Sequence, residues 1–214
     1  MERPEYYKWL KKIAQDTRAK YGLSTPRVLR SHLRAIYRDQ GIHIDLWPHR
    51  LRGVRGAYFN DEHGPSVMLA KGLQEDPMVF TMAHELKHHL VDQNLPLAYC
   101  SDRNADQSIE IGAEIFAAEL IFPETDFLGA LAGMNVGAGA CTPEAIVRLK
   151  HGTRTTLSYT GLAKRATFLG FAPAESLNNV RWRKLEEQIF GEPIYKRVLR
   201  GRQQSGMIAR GYSR

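Results

Sequence analysis

Residues 84–88, His84-Glu85-Leu86-Lys87-His88, constrain this chain more than any other feature: two histidines at i and i+4, with a glutamate between them, in a segment that reads as a helix. On a helix the two rings stand about 40° apart and one turn up, so both can grip one ion. Glu85 sits one position on and points beside that ion. There a carboxylate can take a proton from an attacking water and pass it to a leaving amine. With 8 histidines among 214 residues, composition alone predicts roughly 0.02 such pentapeptides, so the motif is read as chemistry.

The surroundings agree. Pro77 after Asp76, a natural N-cap, predicts a helix from Met78 to about Val91, with Val79, Phe80, Met82, Ala83, Leu86, Leu90 and Val91 as its apolar stripe. A buried helix carrying His84, His88, His89 and a glutamate is costly unless something satisfies them, and a metal does that. A second helix is expected over 109–122, ended by Pro123. Glu110 and Glu114 share one of its faces, while Ile111, Ile115, Ala118 and Phe122 line another. Two histidines, a glutamate and an open position make a catalytic rather than a structural zinc arrangement. We expect Glu110 as the third ligand and Glu114 behind it, orienting a ligating histidine. The reverse assignment of these two stays open.

The two segments, Phe80–Leu90 (Phe-Thr-Met-Ala-His-Glu-Leu-Lys-His-His-Leu) and Glu110–Pro123 (Glu-Ile-Gly-Ala-Glu-Ile-Phe-Ala-Ala-Glu-Leu-Ile-Phe-Pro), resemble the ImmA/IrrE family of metallopeptidases, whose pattern is fTlaHElgH followed by ExxAnxFAxxLLmP. Residues 51–59 resemble the family's Gly-rich turn and strand before the active-site helix, and residues 158–170 its vSxxalxxRLxxLG helix. The likeness spans about residues 20–172. It implies a gluzincin-like zinc endopeptidase (manganese is an alternative ion) of bacteria or their mobile elements. Members typically cleave a helix-turn-helix repressor and so switch on genes for stress response or element transfer. Carried over, His84, His88 and Glu110 hold the metal and Glu85 is the base. Lys87 departs from the usual glycine and brings a cation close to the site. Glu114 departs from the usual Asn or Asp, keeping an acceptor with one more methylene of reach.

Composition suits one substantial core with a short appendage: 43% hydrophobic and 25% charged residues are ordinary for a globular protein. No apolar run approaches membrane-spanning length, and the N-terminus does not read as a signal peptide. Cys100 and Cys141 lack CxxC spacing and read as free thiols of a reducing cytoplasm. Charge is uneven: net +6 over residues 1–50, −4 over 51–172 and +5 over 173–214. In the first basic flank, residues 26–40 read as a helix capped by Ser24 or Thr25. Arg27, Arg30, Arg34 and Arg38 stripe one face of it, a solvated surface or a contact for phosphates or an acidic protein patch.

The expected fold is α+β: a small, mostly antiparallel three-stranded sheet packed on the site helices, followed by helix-turn-helix-like helices. Strands are predicted at 42–47, 55–59 and 66–69, the last two joined as a hairpin through 60–64. By analogy with zinc peptidases generally, an edge strand of this sheet is expected to hold an extended substrate by main-chain hydrogen bonds. His43, His49 and His63 lie here and read as surface or core. Residues 129–139, rich in glycine, read as a mobile loop that moves over the cleft. Helices follow at about 142–150, capped by Thr142, and at 156–168, then 180–190. Residues 1–172 are expected to form the peptidase domain, N-terminal helices included, and 173–214 a basic extension, partly helical or disordered. Tyr159 and Arg165 are candidate transition-state stabilisers. The rival reading is a DNA- or repressor-binding regulator with a structural or vestigial metal site.

Overall fold

The computed structural model describes residues 2–48, 54–93 and 107–191. His49, Cys100 and the basic segment 192–214 lie outside them. The described residues form an α+β fold of eight helices and one three-stranded sheet: α1 (Arg3–Lys20), α2 (Arg30–Asp39), β1 (His43–Trp47), β2 (Gly56–Asp61), β3 (Gly64–Ala70), α3 (Glu75–Val91), α4 (Gln107–Ile121), α5 (Glu124–Gly133), α6 (Pro143–Thr153), α7 (Tyr159–Phe168) and α8 (Trp182–Phe190).

The sheet is mixed, not mostly antiparallel. Strand order is β1-β3-β2; β2 and β3 pair antiparallel as the expected hairpin, but β1 pairs parallel with β3, Ile44 opposite Val67. The reason is burial. β3 holds the deepest apolar residues, Val67 and Leu69, at 0% and 2% exposure, so it takes the centre and leaves β2 as an edge. In a chain running up, down, up, that insertion sets the first and third strands parallel.

α3 lies against β2 and β3 on one side and against α4 on another. Met78, Val79, Met82, Ala83 and Leu86 are buried at this junction, with Phe116, Ala117 and Leu120 of α4. Tyr37 of α2 locks the arrangement by donating its hydroxyl to the carbonyl of Met82 at 2.7 Å. α3 begins two residues before the expected Pro77, which sits inside its first turn. Asp76 does not cap it; that carboxylate accepts from Lys150 Nζ at 2.7 Å.

α1 packs along α4. Gly112 makes the approach possible: a methyl there would stand 2.8 Å from Leu10 Cδ1 and 3.0 Å from Tyr6 Cε1. At the other end the buried Arg18 donates to the carbonyls of Leu120 and Ile121, at 2.7 and 3.3 Å. A guanidinium there satisfies acceptors that the end of α4 leaves open.

Two further readings change. Residues 124–133, which include the start of the expected mobile loop, are helical. Phe127 and Leu131, both 0% exposed, lie four apart and give α5 a buried stripe that its alanines and glycines had obscured. α2 starts at Arg30 rather than near Pro26, so Arg27 precedes the helix and the continuous four-arginine stripe is broken. Arg30 is engaged with Glu75 at 3.0 Å; Arg27, Arg34 and Arg38 are exposed. α6 is capped by Thr142 as expected, with Oγ1 accepting from the Ala145 N–H at 3.3 Å. Lys150 also donates to the Thr155 and Leu157 carbonyls, so the α6–α7 junction is tied to the first turn of α3. Among the described residues no helix is long and apolar enough to cross a membrane.

Candidate metal centre

His84 and His88 project from one face of α3 with ring centroids 5.1 Å apart. α4 brings Glu110 to them from its first turn. Glu110 Oε2 lies 3.2 Å from His84 Nε2, and Oε1 lies 3.8 Å from His88 Nε2. The three ligand atoms all fall within 4.8 Å of one another. Burial is graded: His88 side chain 5% exposed, His84 17%, Glu110 40%. The cluster is therefore open on the Glu110 side. Burial alone would depress the His84 pKa, but the hydrogen bond with Glu110 and the carboxylates of Glu85, Glu110 and Glu114 hold it above its ordinary value. The same hydrogen bond holds the Glu110 carboxyl below its ordinary value.

Glu85 turns toward the sheet. It is 5% exposed, and burial pushes its carboxyl up, opposed by His84, His88 and a backbone hydrogen bond from Tyr58 of β2. Gly56 creates its space. A Cβ there would stand 2.5 Å from Thr81 Cγ2 and 3.0 Å from Glu85 Oε1. Gly56→Ala is expected to cost about 1–3 kcal/mol by overpacking and to displace the Glu85 carboxylate. Chemical denaturation gives the first quantity. A structure of the variant with Glu85 unmoved would remove Gly56 from the site.

His89, the third histidine of the helix, is satisfied without an ion: the Tyr58 hydroxyl lies 3.1 Å from its Nδ1. Burial depresses its pKa.

The carboxylate behind a cluster histidine is Asp92, not Glu114. Asp92 Oδ2 lies 2.7 Å from His88 Nδ1, whereas Glu114 is exposed and pairs with Lys164 at 3.4 Å. The sequence held a signal for Asp92, which stands one turn beyond His88 on the same helical face.

Arg165 is not at the cluster. Its guanidinium donates to Glu119 at 3.1 Å and to the Phe122 carbonyl, at the far end of α4. Tyr159 stacks on Trp182, centroids 5.5 Å apart, with Lys150 over its ring. That packs it with α6 and α8.

Cys141 is 3% exposed and burial pushes its thiol up to about 11. In a Cys100→Ser background it is expected to resist iodoacetamide at pH 8 until denaturant is added, since the thiolate is the reactive form. Rapid native alkylation, read by mass, would contradict that burial.

Compared with known proteins, residues 38–142 match the peptidase family model described as the IrrE N-terminal-like domain. That span holds His84, Glu85, His88 and Glu110. No curated protein matches the chain. Among solved structures, a Mycobacterium tuberculosis transcriptional regulator aligns with a TM-score of 0.48 at 15% identity, over 81% of this chain and 52% of that one. The chain thus spans about half the length of that protein.

Proposed function

With residues 38–142 placing the chain in the ImmA/IrrE family of metallopeptidases, we propose that it is a zinc-dependent endopeptidase. Its substrate is a regulatory protein, most simply a helix-turn-helix repressor whose cleavage derepresses stress-response or mobile-element genes. The observation that carries this is the convergence of His84, His88 and Glu110 beside the buried carboxylate of Glu85. Binding alone has no use for that fourth group.

The donor set fits the ion. Three ligands at zinc distances of about 2.0–2.2 Å from one centre stand about 3.3–3.6 Å from each other in tetrahedral geometry. The Nε2–Oε separations in the cluster are 3.2 and 3.8 Å. Two neutral imidazoles and one carboxylate with an open side match a catalytic site, and manganese would be accepted by the same donors. When bound, the metal would polarise the scissile carbonyl and lower the pKa of the attacking water.

The chain's own groups do the rest. Glu85, held against Gly56 and Tyr58, takes the proton from water and delivers it to the leaving amine. β2 is an edge strand beside Glu85, so its open side would receive an extended substrate by main-chain hydrogen bonds. Residues 1–172 act as the peptidase unit, working in the cytoplasm. The α6–α7 pair serves packing rather than DNA reading; Arg27, Arg34 and Arg38 are exposed and, with the positive charge of the sequence at 173–214, suit an acidic partner.

The test is a comparison of new protein N-termini in cells making this chain or its Glu85→Gln variant. A few new termini with the wild type only, within a DNA-binding repressor, would name the substrate. No difference, with the wild type folded and metal-loaded under its host's stresses, would shift the reading to a regulator that acts by binding. A second check concerns the ligands themselves. His88→Ala is expected to lose stoichiometric metal in elemental analysis, and retained zinc would remove His88 from the set.

A further inference from the structure

Lys87 lies between the base and the second histidine in sequence, yet it points away from both into the interior. Its side chain is 0% exposed. Nζ donates to Asp92 Oδ2 at 2.6 Å and to the Ile109 carbonyl at 3.2 Å, and stands 5.8 Å from the ring centroid of Tyr6. An ammonium in such a place is costly without partners, and it has one from the end of α3, one from α4 and one from α1.

Asp92 serves two groups through the same oxygen, Lys87 Nζ and His88 Nδ1, the latter at 2.7 Å. An ionised carboxylate only accepts, so the proton of neutral His88 sits on Nδ1. That leaves the Nε2 lone pair facing Glu110. Ile109, the other anchor of Lys87, immediately precedes Glu110 on α4.

We infer that Asp92 and Lys87 are a positioning pair for the metal centre. Asp92 sets the tautomer and ring orientation of His88. Lys87 holds Asp92 and ties it to the first turn of α4, so His88 and Glu110 are placed relative to each other before an ion arrives. A carboxylate behind a ligating histidine tunes affinity. Here its charge is matched by a buried cation, so orientation comes without added net charge. The inference rests on the reading of His84, His88 and Glu110 as metal ligands.

Removing one charge alone would strand the other in the interior, so the informative variants remove both. Lys87→Met/Asp92→Asn keeps an acceptor for His88 Nδ1; Lys87→Met/Asp92→Ala does not. Zinc affinity is measured by chelator competition on folded protein, alongside thermal unfolding. The alanine variant is expected to bind on the order of 10- to 100-fold more weakly than the asparagine variant, at similar stability. Equal affinities would overturn the positioning role and leave Asp92 as a counter-ion of Lys87. A wild type that binds no zinc would instead overturn the reading of the centre itself, and this inference with it. A long-range proton–nitrogen spectrum of the metal-free wild type at pH 8 needs no variant to fold. It is expected to show His88 protonated at Nδ1, and a proton at Nε2 overturns the assignment.

Discussion

Glu85→Gln is expected to leave metal stoichiometry unchanged and to lower peptide hydrolysis by about a hundred- to ten-thousand-fold, the usual share of a positioned general base. Glutamine fills the same space against Gly56 and accepts the same backbone hydrogen bond from Tyr58, so the variant tests proton transfer and little else. The measurement pairs kcat on a cleaved peptide with metal content from elemental analysis. Loss of rate with full metal assigns the proton to Glu85. A wild-type rate would remove Glu85 from the chemistry. Full metal with no cleavage by the wild type either would favour a regulator whose metal site is structural or vestigial.

Arg165→Met is expected to act on stability instead. The Arg165 side chain is 9% exposed and its partner Glu119 is 0% exposed. Glu119 also accepts from Gln15 at 2.9 Å and from the backbone N–H of Glu124. Removing the guanidinium leaves a buried carboxylate with no cation in contact, a loss of about 3–5 kcal/mol, on the order of 10 °C in Tm for a chain of this size. The kcat of the metal-loaded, folded fraction at low temperature should hold near wild type. A fall in kcat with Tm unchanged would return Arg165 to the reacting groups.

These two residues mark where the sequence was legible. Glu85 was readable because its neighbours lie within one helical turn, and the spacing alone decides which groups share a face. Glu110 needed one more step, the matching of two helices; the second motif narrowed the third ligand to Glu110 or Glu114, and the packing of the helices brings Glu110 to the histidines. Asp92 is legible by the same rule, one turn past His88, whereas Glu114, on the partner helix, cannot be assigned by spacing within α3. Arg165 could not be placed by spacing, since its carboxylate partner is 46 residues away. The glycine-rich run after Pro123 misled for a different reason. Low side-chain volume reads as a loop unless Phe127 and Leu131 are seen to share a face.

By itself, the chain's order of residues determined the two site helices, the hairpin, the cap at Thr142 and the pairing of His84 with His88, because each depends on contacts within a turn or on residue chemistry. Tertiary structure alone decided that β3 lies between β1 and β2, that α1 packs on Gly112, that Gly56 makes room for Glu85, and that Lys87 turns inward to Ile109 and Tyr6. Each of these is a choice among partners far apart in the chain. That choice is set by which surfaces bury together, and periodicity along one element carries no information about it.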